Sequence, residues 1–201
     1  MKNLDDYKLT ETVTVGELKK WLREKDDTAK NKMIEFIDHR FTNRYLKHLE
    51  KIDSGFLIMA ICCLTIEALE SFMQGRENTK QTGAGLKVFK AFFRREKVNF
   101  PGFINIAKTF YSDVRCGILH QAETTEAWRI RRDGALLNEA ERCINSKEFV
   151  KALKNSLANY IEDLKNEDLS SDLWKKTMFK LETVWKNCET NQQQLLPDNI
   201  P

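Results

Sequence analysis

Arg115 and His120 are the two residues whose types and spacing could do chemistry together; they lie in the run FYSDVRCGILHQAET, residues 110–124. An imidazole titrates near neutral pH and can exchange a proton with a hydroxyl group. A guanidinium is permanently charged and matches a phosphate with two parallel hydrogen bonds. Together they form a minimal set for cleaving a phosphodiester without a metal ion. Their spacing sets a geometric condition. Five residues of regular α-helix turn the chain by about 500°, which leaves the two side chains about 140° apart. Either the helix ends before His120, or two copies of the segment meet across an isologous interface and each supplies part of a site.

Other residues could support such chemistry. Arg129, Arg131 and Arg132 follow the motif with Trp128 beside them. Basic residues next to an aromatic can hold a phosphate backbone and stack a base, which makes the four an RNA-binding candidate; a solvated charged face is the plainer reading. Arg94, Arg95 and Lys97 form a second basic spot. Glu67 lies in the most apolar segment, where an unpaired carboxylate would be costly, so it is read as a support that orients an arginine such as Arg115, or as a residue at the wet edge of the bundle. Cys116 is read as packing or as a lining of the site. His39 and His48 sit among charges and read as surface residues.

The segment 110–124 resembles the signature of the HEPN family, in which an Arg-x4–6-His motif closes a helix of a helical bundle. The resemblance covers about residues 50–165. It implies that Arg115 and His120 are catalytic, that a homodimer builds a composite RNA-cleaving cleft, and that the activity is a metal-independent endoribonuclease of the toxin or phage-defence kind, with an antitoxin protein as a possible partner. Cleavage would leave a 2′,3′-cyclic phosphate and a 5′-hydroxyl. The alternative that the family offers is an inactive module that binds nucleotide, RNA or a protein. The chain has Cys116 where the family commonly has a polar residue. It has Ala122 where some members carry a modifiable tyrosine, so that modification is not implied.

The elements that must position these residues read as all-α. The chain has 41% hydrophobic and 31% charged residues with only 8 Gly and 3 Pro, so little interrupts helices between residues 15 and 188. The periodicity predicts a bundle of about five to seven helices with a small β-hairpin after the motif helix. Thr14 and Glu17 make a capping box for a first helix. Apolar positions Ile34, Ile37, Phe41, Tyr45 and Leu49 put a stripe on a helix from about Asn31 to Ile52, with Arg40 and Arg44 on a solvated face. Gly55 to about Gln74 is apolar nearly all round and belongs in the middle of the bundle. Arg76 to Gly85 reads as a loop, Gly85 to Glu96 and Phe103 to Leu119 as helices. Asp133-Gly134 between short extended runs signals the hairpin. Ser146 is read as the cap of a helix to about Asn166, and a last helix runs from Ser171 to Cys188.

The whole, 1–201, reads as a single domain, with 1–49 and 166–188 as helical additions and 189–201 as a mobile tail. The formal charge of +3 is too even to announce a nucleic-acid binder. Five cysteines without CxxC spacing point to reduced thiols and a cytoplasmic setting. The early acids of the N-terminal segment do not resemble a signal peptide. The most apolar run, Gly55 to Ile66, reads as too short to span a membrane. Nothing in the sequence points to a cofactor.

Overall fold

A computed structural model describes residues 3–77 and 84–194. The described residues form seven helices and one small sheet. Helix α1 (Val15–Glu24) opens on the expected capping box: Glu17 N–H donates to Thr14 Oγ1, and Thr14 N–H donates to Glu17 Oε2 at 2.8 Å. Lys25 ends it in the left-handed region and Asp26 caps α2. Helix α2 spans residues 27–49, with a π-helical stretch at Thr42–Leu46. Helix α3 is Gly55–Gln74, capped by Ser54 and closed by left-handed Gly75. Helix α4 is Ala84–Arg95, and α5 spans residues 107–121. Helix α6 is Ser146–Asn166 and α7 is Asp172–Gln194.

Helix α3 packs against α4, α5, α6 and α7, which accounts for its lack of a polar face. By length and composition its 20 residues could cross a membrane, more than the shorter run read from the sequence suggested. Here 56% of that apolar window is buried inside the bundle instead. Phe89, Phe93, Phe100, Phe103, Phe110 and Phe149 form an aromatic cluster joining α4, the following turn, α5 and α6, with centroid distances such as 5.0 Å for Phe93–Phe103 and 4.9 Å for Phe100–Phe149. One cluster of buried side chains runs from Leu9 to Val184, so α1, α2 and α7 share the core rather than adding to it.

Several sequence expectations are corrected. Residues 3–13, ahead of the first helix, are tied to the bundle: a short turn at Leu4–Asp6 is fastened by a Lys19–Asp5 ion pair and by pairing of Lys8 with Thr14, and Leu9 is buried. Residues 101–106 form turns, and the motif helix starts at Ala107. Asn145, not Ser146, caps α6, because its Oδ1 accepts from the N–H groups of Lys147 and Glu148. Helix α7 continues to Gln194, through part of the expected tail. The remainder, 195–201, and residues 78–83 of the segment expected to be a loop lie outside the described residues. His39 is half-buried rather than superficial, and its Nδ1 lacks a partner among the described residues.

The β-excursion exists, but not as the expected hairpin. Strands β1 (Arg129–Arg131), β2 (Leu137–Asn138) and β3 (Cys143–Asn145) form a sheet in the order β1-β3-β2. β1 lies parallel to β3, and β2 antiparallel to it. The reason is burial. β3 is buried at all three residues, so it takes the centre. Ser146 Oγ then donates to the Arg131 carbonyl at 3.0 Å, and Asn145 Nδ2 to the Gly134 carbonyl at 2.7 Å. These bonds hold Asp133-Gly134 as a wide bend rather than a tight turn between paired strands.

Candidate active site

Helix α5 begins as a regular turn at Ala107–Thr109, widens into a π-helix at Phe110–Arg115, and returns to α over Cys116–Gln121. A π stretch bonds i to i+5 and often marks a functional position. Arg115 closes it. Helix α5 does not end before His120 but one residue later, and Ala122 caps it in the left-handed region. The chain then doubles back. Thr125 N–H donates to the Asp113 carbonyl at 2.9 Å, and a Cβ on Gly117 would stand 2.5 Å from the Glu123 carbonyl oxygen. Glycine at 117 is therefore what lets the 123–125 segment lie against the motif helix.

Arg115 and His120 converge within a single chain. Arg115 Nη1 lies 3.5 Å from His120 Nε2 and 3.9 Å from Cys116 Sγ. Neither alternative raised by helical geometry is needed for this approach. The backbone between the two residues is α-helical, and the long arginine side chain closes the angular gap. It is held in that pose by Glu67 of α3, whose Oε1 accepts from Arg115 Nε at 2.8 Å and lies in an ion pair 2.8 Å from Nη2. The guanidinium also lies 5.6 Å from the centre of the Tyr111 ring. The arginine and glutamate side chains are 18% and 17% exposed, while His120 is exposed to solvent.

The electrostatics follow from that placement. Burial by itself would lower the Arg115 pKa, but the Glu67 hydrogen bonds and charge outweigh it, and the value is raised. Arg115 can only donate, so His120 Nε2 is the acceptor of the 3.5 Å contact when its proton sits on Nδ1. The Tyr111 hydroxyl is pushed up by burial and then by Cys116, against the pull of Arg115. The buried Cys63 thiol is pushed well up, first by burial and then by Cys62. The site thus offers a fixed cation, an imidazole on the surface, and an anchoring carboxylate.

The expected RNA-binding set is not gathered there in accessible form. Trp128 is 5% exposed and packs in the core, so its ring offers no face to a base, and its indole N–H has no acceptor among the described residues. That correction has a physical cause: Trp128 immediately precedes β1, which pairs with the buried central strand β3, and its side chain packs into the core there. The three arginines are exposed, but each is already engaged. Arg129 pairs with Glu141 at 3.7 Å and Arg131 with Asp133 at 2.9 Å. Arg132 pairs with Asp53 and donates to its carbonyl at 3.0 Å. Arg95 of the second basic spot is clamped between Glu70 and Glu96. Glu67 does orient Arg115, and Cys116 lines the site at its edge.

Sequence reasoning missed Tyr111 and Gly117. Tyr111 stands four residues before Arg115, a helical spacing that could have flagged it. Nothing local marks Gly117, because its contact is with a loop that only the fold brings back. Among the described residues no three His, Cys, Asp or Glu side chains gather as a metal-binding group. Compared with family models, curated proteins and solved structures, the chain matches none, so the HEPN resemblance rests on the motif residues themselves.

Proposed function

We propose that the chain is a metal-independent endoribonuclease of HEPN type, acting as a toxin or phage-defence effector. The observation that carries this reading is the 3.5 Å approach of Arg115 Nη1 to an exposed His120 Nε2, with the guanidinium fixed by Glu67. His120 takes the proton of a ribose 2′-hydroxyl through Nε2. The 2′-oxygen attacks phosphorus, and the bond to the 5′-oxygen breaks. Arg115 Nη1, which Glu67 leaves free, donates to a non-bridging oxygen and stabilises the added negative charge. The leaving 5′-oxygen needs a proton, and His120 of a second copy is the group of the right chemistry to give it. Leu57, Leu64 and Leu119, which are 48%, 43% and 43% exposed, lie on the same two helices as Glu67 and His120 and supply apolar area for such a pairing.

The test is cleavage of a labelled mixed RNA in EDTA by the wild type, His120→Ala and Arg115→Lys. The wild type is expected to leave cyclic-phosphate ends. His120→Ala should lose about 100- to 10,000-fold in rate, the usual span for general acid–base catalysis. Equal cleavage by all three would remove the assigned roles. RNA binding without cleavage would select the inactive-module reading instead.

A further inference from the structure

The charge pattern of α2 reads as a solvated face in the sequence; Arg44 is exposed as that reading expects, but Arg40 is half-buried. Arg40 and Arg44 border a cavity of about 410 Å³ between the N-terminal segment, α2, α3 and α7. Lys180 of α7 reaches the same cavity, and Tyr7, Tyr45 and Cys188 complete much of its wall. Among the described residues no carboxylate lines it. Arg40 donates no hydrogen bond and forms no ion pair with any described residue; its guanidinium lies 5.9 Å from the centre of the Phe36 ring. Arg44 donates to the Leu9 carbonyl, and Lys180 Nζ to the Glu77 carbonyl at 2.7 Å, and neither forms an ion pair with a described residue.

Arg40, Arg44, Lys180 and Lys8 bring four cations to one cavity wall from distant parts of the chain, where they repel one another; the Glu77 carboxylate offsets part of this at Lys180. Burial and the neighbouring Arg44 lower the Arg40 pKa to about 10, and burial and then Arg40 lower that of Lys180. Elsewhere the chain pairs its partly buried arginines: Arg95 has Glu70 and Glu96, and Arg115 has Glu67. A cluster left unpaired in a cavity of small-molecule size is suited to an anion that completes it. Guanidinium groups favour phosphate, and the volume exceeds what one phosphate needs.

We propose that the Arg40–Arg44–Lys180 cavity binds the phosphate group of a small phosphorylated ligand of about nucleotide size. This site is separate from Arg115 and His120, and its test does not depend on the nuclease reading. Full-length protein would be titrated with inorganic pyrophosphate, ATP and ribose 5-phosphate, following calorimetric binding and Tm, with sodium chloride at matched ionic strength as the control. At least one phosphate probe should raise Tm above the chloride control, because a ligand that binds only the folded state stabilises it. Arg40→Met and Lys180→Met, which keep the apolar stem, should each weaken binding at least tenfold. Both should melt no lower than the wild type without ligand, since each removes an unpaired cation. His120→Ala should bind the probes as the wild type does. A Tm rise with ATP alone would assign a nucleotide, and a rise with all three a phosphate site of broad acceptance. No rise with any probe, unchanged binding by both Met variants, or marked destabilisation of both without ligand would overturn the proposal.

Discussion

Replacing Glu67 with glutamine tests whether the carboxylate is what aims Arg115. The substitution keeps the shape and one acceptor oxygen but removes the charge. In the native pair both Nε and Nη2 of Arg115 stand 2.8 Å from Glu67 Oε1, and the side chains are only 18% and 17% exposed. At an effective dielectric of about 20, two unit charges about 4 Å apart attract by about 4 kcal/mol. The desolvation of both groups offsets much of that. The retained amide oxygen keeps a hydrogen bond worth about 1 kcal/mol. A net loss of about 1–2 kcal/mol follows, which for a chain of this size lowers Tm by about 2–8 °C. The effect on turnover should be larger in relative terms. A guanidinium displaced by about 1 Å from its working position can cost about 100-fold. Glu67→Gln is therefore expected to cut RNA about 10- to 100-fold more slowly, with RNA binding nearly unchanged. The assay is single-turnover cleavage beside a thermal melt. Unchanged Tm and rate would refute the anchoring role. A faster enzyme would refute it differently, by making Glu67 a brake on Arg115 rather than its support.

Gly117→Ala should destabilise the chain by about 1–3 kcal/mol, the range for overpacking, because its Cβ would stand 2.5 Å from the Glu123 carbonyl; a melt and a cleavage assay should fall together, and an unperturbed Tm would contradict the packing described. Trp128→Phe should keep RNA binding within about twofold and cost less than about 1.5 kcal/mol, while Trp128→Ala should cost about 3–5 kcal/mol, since the ring is core; selective loss of RNA binding in a stably folded Trp128→Phe would restore the stacking role. Burial raises the Cys62 and Cys63 pKa values, so each thiol's contribution to stability is fully present below the unfolded-state value of about 8.5 and is lost as pH rises towards the folded-state value. That amounts to about 2 kcal/mol per thiol at pH 10, and Tm measured from pH 7.5 to 10 should fall less steeply in Cys62→Ala than in the wild type; parallel curves would exclude the thiols as the cause.

How much of this was legible in the sequence differs from residue to residue. The helices announced themselves because their signals are local: the Thr14–Glu17 box, Ser54 before an apolar run and Gly75 after it each act within one turn of backbone. The central place of α3 followed from its having no polar face. Arg115 and His120 were visible as chemical types at a suggestive spacing, and Glu67 as a carboxylate that needed a partner.

The sequence by itself determined a helical chain, its main boundaries and a candidate pair of reacting groups, because helix periodicity and capping are properties of neighbouring residues. Only the tertiary structure decided which charges meet. Arg115 and His120 stand about 140° apart on an ideal helix, and their approach depends on Glu67, which lies 48 positions away from Arg115 on another helix. The same holds where the fold overruled the pattern. A buried β3 displaced the Asp133-Gly134 hairpin, the core claimed Trp128, and half-buried Arg40 of an apparently solvated face became part of the wall of a cavity shared with helix α7. Burial and ion pairing are set by contacts between distant segments, and no local pattern encodes those.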